Sequence, residues 1–166
     1  MDVIVAHHGR PEVKYMRPKI IFLLLFLQFT CPILAQDMLK DISGKVQINR
    51  IAAKQGDSVK AGDEIVTEKN SKAVVLYADE VYQIRENTTF VLPSGVNKDN
   101  TSNLVKGSVL AAFTPGKPRK MKIGGLATLS IRGTGIYART DNEGVHYCLC
   151  YGHSNLASHK IGRAHV

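Results

Sequence analysis

LVKGSVLAAF, residues Leu104–Phe113, shows the pattern on which the fold depends. It is a short run of mostly aliphatic residues with a glycine, Gly107, near its middle. Short runs rich in β-branched or aromatic residues, separated by turn formers, are typical of β-strands. Six other runs follow the same plan: Ile42–Ile51, Ala73–Tyr77, Val81–Arg85, Leu126–Arg132, Gly135–Arg139 and Val145–Tyr151.

Turn-forming residues separate these runs at short spacing: Asn70–Ser71, Pro93–Gly95, Pro115–Gly116 and Asn142–Gly144. Within several runs the side chains alternate, so that Val46 and Ile48 point one way and Gln47 points the other. Beyond the N-terminal region, no segment keeps a helical period over three turns. The sequence therefore predicts an all-β fold of many short strands: a compact sandwich, a barrel or a short β-helix-like roll.

Glycines recur at comparable places in the pattern. There is no exact repeat, but a glycine followed two residues later by valine occurs at Gly44 and again at Gly107. A hairpin-based roll would produce this recurrence. Gly133 and Gly135 lie between two predicted strands, with no lysine and no helix start after them, which argues against a phosphate-binding loop. We predict a bulge or a tight strand junction there.

The N-terminal region has the pattern of a secretory signal peptide. An apolar stretch over 20–27 follows the basic residues Lys14, Arg17 and Lys19. A membrane span needs about 20 apolar residues, and this run is much shorter, so we expect no permanent span. We predict a signal peptide over 1–35, with Met16 as an alternative start, and a periplasmic or secreted location.

The last residues, 160–166, are interpreted as an artefact. Ile161–Val166 is the translation of ATCGGAAGAGCACACGTC, a string that belongs to a common sequencing adapter. The mature chain is then a single β domain over 36–159, which we expect to be truncated at its C-terminal end. About 120 residues suffice for one small domain with a modest core.

The predicted mature region carries a small positive charge. The whole chain has a net charge of +8, whereas Gln36–His159 holds 16 Lys and Arg against 12 Asp and Glu, a net +4. The densest basic segment, Lys117–Lys122, lacks aromatic neighbours on which bases could stack. We predict a solvated loop and strand edge there, an exposed polar loop over Asn97–Asn103, and no nucleic-acid partner.

Three candidate metal ligands lie in the last predicted strand. His146, Cys148 and Cys150 are spaced by two, so a regular strand places all three on one face. The two cysteines are about 6.6 Å apart along such a strand, too far for the usual disulfide. Three interpretations stay open: a soft-metal or redox site, a disulfide to another segment, and ordinary buried thiols, which we favour.

No pattern indicates catalysis. A serine hydrolase would need an elbow motif and a converging serine, histidine and carboxylate, and that combination is absent. Asp57 and Asp63 bring too few oxygen donors for a calcium loop. We therefore expect a protein that is not an enzyme and needs no cofactor. Tyrosines of the predicted strands should mostly lie in the core, and exposed members would mark a ligand face: Tyr77, Tyr82, Tyr137, Tyr147 and Tyr151.

The order of these motifs resembles the periplasmic domain of the FecR protein family. One departure is Glu80, which stands where many relatives have glycine. The motifs that carry the resemblance extend over nearly all of the predicted mature chain: Gly44–Val46, Gly56–Asp57, Gly62–Thr67, Ser71–Leu76 with Asp79, Val81–Ile84, Lys106–Val109, Ile131–Tyr137 and Val145–Gly152.

This resemblance implies a binding or sensing domain. The best-known family members are membrane-spanning regulators, whose cytoplasmic segment controls a sigma factor and whose periplasmic part receives a signal from an outer-membrane transporter. Only 19 residues precede the apolar stretch here, too few to fold as a sigma-factor-binding domain. We expect an exported, solitary FecR-like module that binds a protein or an envelope polymer. The alternatives are a metal or redox protein using His146, Cys148 and Cys150, and a structural component that assembles through strand edges.

Overall fold

Eleven β-strands and no helix make up the residues that the computed structural model describes, 36–94 and 100–158. The all-β prediction of many short strands is confirmed. In chain order the strands are β1 (Met38–Ser43), β2 (Val46–Ile48), β3 (Ile51–Ala52), β4 (Glu64–Thr67), β5 (Lys72–Tyr77), β6 (Glu80–Ile84), β7 (Thr89–Val91), β8 (Thr101–Ala112), β9 (Pro118–Ile123), β10 (Ala127–Asp141) and β11 (Gly144–Ser158).

Seven of the first eight strands close into a small barrel. Neighbouring strands pair in the order β1-β5-β6-β8-β7-β4-β2, with β3 added beyond β2. Because β1 and β2 are consecutive and are separated only by Gly44 and Lys45, this path returns to the segment where it began. On its other side β1 bonds to the segment that follows β3, from Leu39 N to Asp57 O over 2.9 Å and from Gly56 N to Leu39 O over 2.8 Å. The sequence patterns had not distinguished this arrangement from a sandwich or a roll.

Two similar corners bend the long strands of the barrel. Gly44 (φ +76°) separates β1 from β2. Gly107 (φ +89°) lies in β8 where pairing with β7 and β9 ends and pairing with β6 and β10 begins. Glycine adopts this backbone conformation without a Cβ penalty. At each corner the amide after the glycine donates to a hydroxyl, Lys45 N to Ser71 Oγ over 2.9 Å and Ser108 N to Thr88 Oγ1 over 3.0 Å.

The corners extend into an approximate internal repeat. Asn70 and Asn87 precede the two hydroxyl residues, and both have positive φ, +55° and +52°. Each hydroxyl also donates to the carbonyl two residues before it, Ser71 to Lys69 over 3.2 Å and Thr88 to Glu86 over 3.0 Å. The recurrence of glycine and valine in the sequence therefore marks two equivalent corners of the barrel.

The remaining strands form an arm on the barrel. β9 runs parallel to the first part of β8, and β10 pairs with β9, with the second part of β8 and with β11. The pairing of β10 with β11 is long, from Ala127 opposite Ser158 to Asp141 opposite Gly144. The register shifts between Arg132 and Gly135, which confirms the predicted bulge or strand junction at the Gly133–Gly135 segment.

The core fills the barrel and continues under the arm. Fully buried side chains include Leu39, Ile65, Tyr82, Phe90 and Leu104 in the barrel. The Tyr82 ring lies with its centroid 5.1 Å from that of Phe90, a favourable tilted contact. The buried residues of β9 and β10 belong to the same cluster: Met121, Ile123, Leu129, Ile131, Ile136 and Ala138.

Several predicted boundaries differ from the structure. The predicted strand Ile42–Ile51 divides at the Gly44 corner, whereas Leu126–Arg132 and Gly135–Arg139 are parts of one continuous β10. The expectation of an exposed loop over Asn97–Asn103 is wrong for Thr101–Asn103, which begin β8 with Ser102 buried. Polar residues entered a strand here because backbone pairing with β7 and β9 does not depend on side-chain polarity.

The signal peptide predicted over 1–35 and the artefact predicted over 160–166 lie outside the described residues. The boundaries of the domain predicted over 36–159 likewise stay predictions. Within the described ranges, no helix is long and apolar enough to cross a membrane.

Candidate binding face

An exposed apolar surface lies on the outer side of strands β6, β8, β10 and β11. The register places four residues in one row across these strands, Val81, Ala112, Gly135 and Tyr151. Directly opposite residues of antiparallel strands share a face. Val81 is 39% exposed and Tyr151 is 59% exposed, so this row faces away from the core.

A second row runs beside the first. Gln83, Leu110, Tyr137 and Cys148 are opposite one another on the same four strands. Leu110 is 40% exposed, and Tyr137 is half-buried. Neighbours within a row are about 4.8 Å apart, and the two rows are about 6.6 Å apart along the strands, so the side chains of both rows form one continuous surface. We call these eight residues the outer face.

Gly135 gives the outer face its aromatic centre. A Cβ at this position would lie 2.4 Å from Tyr151 Cε1, because the tyrosine ring lies across the glycine. Two of the tyrosines predicted as core residues, Tyr137 and Tyr151, therefore lie on this surface, and of the predicted set only Tyr82 is fully buried. The expectation that these tyrosines lie mostly in the core is wrong for Tyr151. As an exposed tyrosine, Tyr151 instead marks this surface as a candidate ligand face.

Beneath this region, a buried polar cluster joins β6 to β9. Glu80 and Arg119 form an ion pair with exposed side-chain fractions of 1% and 8%, and Tyr82 Oη donates to Glu80 Oε2 over 2.5 Å. Burial raises the pKa of the Tyr82 hydroxyl far above its ordinary value, and the charge of Glu80 and the hydrogen bond to it add to this effect. The three groups satisfy one another inside the fold.

The prediction of a solvated loop and strand edge for the basic segment Lys117–Lys122 holds for only part of the segment. Residues Pro118–Ile123 form β9, with Lys120 and Lys122 exposed on alternate positions. The expectation of a solvated segment is wrong for Arg119, whose guanidinium is buried against Glu80. Strand alternation turns every second residue inward, and the carboxylate that meets Arg119 comes from a distant part of the chain, so no local pattern indicated the pair.

The three predicted metal ligands occupy one exposed strand. His146 is opposite Arg139 and Cys148 is opposite Tyr137, whereas Cys150 falls where the register between β10 and β11 shifts. Both cysteines are free and exposed, so the favoured interpretation of buried thiols is wrong. β11 lies at the margin of the described sheet. Val145 and Tyr147 are partly buried and pack against the core cluster, whereas the two cysteines are exposed.

His146 instead lies near two carboxylates at the tip of the β10–β11 hairpin. Asp141, Glu143 and His146 each offer a ligand atom within 4.8 Å of the others, and all are exposed. In the described part of the chain, His146, Cys148 and Cys150 do not form such a group. Asp141 is already held by Arg139, whose hydrogen bond lowers the pKa of the Asp141 carboxyl below its ordinary value. Metal binding by His146, Cys148 and Cys150 stays a prediction.

A basic cleft adjoins the other end of β10 and β11. It has a volume of about 590 Å³, and its lining includes Lys120, Arg132 and His153 together with the amides of Asn100 and Asn155. Arg119 also borders it, but its charge is neutralised by Glu80. The remaining groups would suit an anionic or hydroxyl-rich ligand, although none of them is deeply buried.

Comparisons with protein-family models, with curated proteins and with solved structures found no match to this chain. Function must therefore be inferred from the surfaces that the fold presents.

Proposed function

We propose that this protein is an exported, non-enzymatic FecR-like module of the bacterial cell envelope, which binds or senses a partner through the outer face. The observation that carries the proposal is the continuous exposed surface around Val81, Leu110 and Tyr151. Monomeric soluble proteins rarely leave a large contiguous apolar patch uncovered, and such patches commonly mark interaction sites.

The chemistry of the outer face favours a protein as the partner. Tyrosine combines a large apolar ring with a polar hydroxyl, and it is enriched in protein interfaces. Leucine and valine beside Tyr151 and Tyr137 add apolar area, while Gln83 supplies an amide for hydrogen bonding. An envelope polymer that stacks on the tyrosine rings is the second partner class, and the basic cleft would contribute to that contact.

The buried polar groups support a binding role over a chemical one. Among the described residues, Glu80, Arg119 and Tyr82 are the ionisable groups with the strongest burial, and each has its partner within the fold. They are therefore occupied in holding the barrel to the arm. Signalling through a sigma factor is not part of the proposal, and a regulatory effect would pass through the bound partner.

Photo-crosslinking in cells tests the binding role. A photoreactive amino acid at Leu110 or Tyr151 should give a discrete cross-linked species after illumination of the envelope fraction. The same amino acid at Ile51, which is 73% exposed on β3 but lies off the outer face, is the matched control. Equal cross-linking at Ile51, or none at the two outer-face positions, would contradict the proposal.

Export is tested separately. Residues 1–35 fused to a reporter enzyme that is active only after translocation should give activity, and Phe22→Arg with Leu24→Arg within the apolar stretch should abolish it. An inactive fusion would overturn the envelope location. It would not bear on binding through the outer face, because the fusion contains none of those residues.

The alternative, a metal or redox protein using His146, Cys148 and Cys150, rests on the exposure of both thiols. Equilibrium dialysis of the reduced full chain against zinc or copper(I) distinguishes the two functions. A stoichiometry near one metal per chain that is lost in a Cys148→Ser variant would favour the alternative, and a stoichiometry near zero would remove it.

A further inference from the structure

β11 has one open edge. Of the strands in the described ranges, it pairs only with β10, although it is fifteen residues long. An open edge presents unpaired backbone N–H and C=O groups to any strand that approaches. Proteins usually protect such edges with charged residues or proline. Gly144–Ser158 contains no Asp, Glu, Lys, Arg or Pro, so this edge has no protection of that kind.

The sequence of this edge is symmetric about Leu149. Residues 147–151 read YCLCY, which is the same in both directions. When a strand pairs antiparallel with its own copy about a two-fold axis, residues equally far from the axis become opposite neighbours. With the axis at Leu149, Leu149 meets Leu149 of the second copy. Cys148 of each copy then meets Cys150 of the other.

We propose that a second copy of this chain pairs antiparallel with the open edge of β11, centred on Leu149, and that two Cys148–Cys150 disulfides join the copies. Charge favours a copy as the occupant, because the two histidines are the only ionisable side chains besides the thiols and tyrosines on the strand. At neutral pH, self-association of this edge therefore meets little like-charge repulsion. A second copy also supplies a strand of equal length and a thiol opposite each thiol.

The geometry of a strand pair fits this disulfide and excludes others. Opposite residues in an antiparallel pair have Cα atoms about 4.5–5.5 Å apart, within the roughly 4.4–6.8 Å that disulfides span. Like residues, such as Cys150 and its copy, would be diagonal neighbours about 7–8 Å apart, which a disulfide does not span without backbone movement. The two-fold pairing applies to Cys148–Cys150, because beyond Cys150 the register shift against β10 reverses the side-chain alternation.

Each disulfide requires an oxidant. Cys148 of one copy and Cys150 of the other together lose two protons and two electrons as the S–S bond between them forms. A disulfide oxidant takes up these protons and electrons and is reduced to two thiols. This step rests on the proposed export, because disulfides persist in oxidising compartments. The strand pairing itself does not require export, so the two can fail separately.

Two single-cysteine variants test the register. In a full-length Cys31→Ser background, Cys148→Ser and Cys150→Ser are each incubated with oxidised glutathione, separately and as an equimolar mixture. We expect little covalent dimer from either variant alone and at least a tenfold larger fraction from the mixture, on non-reducing gels. Peptide mapping should identify the Cys148–Cys150 linkage between copies.

The opposite results overturn the proposal. Efficient dimer formation by either variant alone would show that the thiols meet by unguided collision, and no dimer from the mixture would show that the edges do not pair in this register. Light scattering under reducing conditions tests the non-covalent pairing: the parent should be dimeric, and Leu149→Lys, which places two lysines opposite each other, should be monomeric with unchanged circular dichroism. A monomeric parent, or a Leu149→Lys variant that remains dimeric, would contradict the pairing.

Discussion

The closed barrel and β11 differ in how much of each strand is hidden. In β5 and β6, alternate side chains such as Ala73, Val75, Tyr82 and Ile84 are fully buried. None of the fifteen residues of β11 is buried, although the strand pairs with β10 along almost its whole length. Backbone pairing alone therefore does not create a core. Stability should reside in the barrel and its junction with β9 and β10, and interaction in β11 and the outer face.

The largest expected effect is at the junction of barrel and arm. Arg119→Met leaves the Glu80 carboxylate buried without its cation, and we expect the free energy of unfolding to fall by about 3–5 kcal/mol in urea denaturation. The double variant Glu80→Gln with Arg119→Met removes both charges and should recover most of this loss. A double variant less stable than the single one would contradict the assignment of the effect to an uncompensated charge.

A cross-strand leucine pair compares the two regions directly. Leu129 and Leu156 are opposite each other on β10 and β11, with exposed fractions of 0% and 40%. Leu129→Ala should lower the free energy of unfolding by about 2–5 kcal/mol, since it opens a cavity in the core. Leu156→Ala should lower it by less than about 1 kcal/mol because little apolar area is lost. Equal losses would show that β11 belongs to the core after all.

The barrel corner gives an intermediate effect. A Cβ at Gly107 would approach Thr88 Cα to 2.6 Å and Asn87 O to 2.8 Å, and we expect Gly107→Ala to lower the free energy of unfolding by about 2–3 kcal/mol. Gly116→Ala is the matched control, because Gly116 has a similar φ of +85° but no atom within 4 Å of its Cβ position. The control should lose only about 1 kcal/mol. If thermal melts show equal losses, the close approach at the corner is not important.

The smallest effect is expected at the hairpin tip. The hydrogen bonds from Arg139 and from the Glu143 amide lower the pKa of Asp141, so its NMR titration midpoint should lie below the ordinary 3.8. Arg139→Gln should raise that midpoint. Any stability that this contact gives is present above the unfolded pKa and is lost as the pH falls through the lower, folded one. Because both groups are exposed, Asp141→Asn should unfold like the parent at pH 7.

Sequence reasoning succeeded where the information is local. Alternation and turn residues indicated most of the barrel strands, and the recurring glycine–valine spacing marked the two corners at Gly44 and Gly107. It was less successful for Glu64–Thr67, Thr89–Val91 and Pro118–Ile123, which are short or strongly basic. These segments become strands because neighbours from distant parts of the chain supply their backbone hydrogen bonds.

The candidate site shows the same division. The sequence by itself determined which residues were available: the tyrosines, the two thiols and the symmetric YCLCY segment on an uncharged strand. A regular alternation would place Tyr147 and Tyr151 on one face. In the structure Tyr147 is opposite the buried Ala138, whereas Tyr151 is opposite Gly135 on the outer face, because the register shift at Cys150 reverses the alternation.

Tertiary structure alone decided three further features: the closure of the barrel, the burial of Arg119 against Glu80 and the open edge of β11. The first two depend on segments that are separated by tens of residues along the chain. The third depends on the lack of a further described strand beside β11. Local sequence sets the backbone preference and the polarity of a strand. Whether that strand is covered, paired or left open is set by long-range packing, which no short pattern encodes.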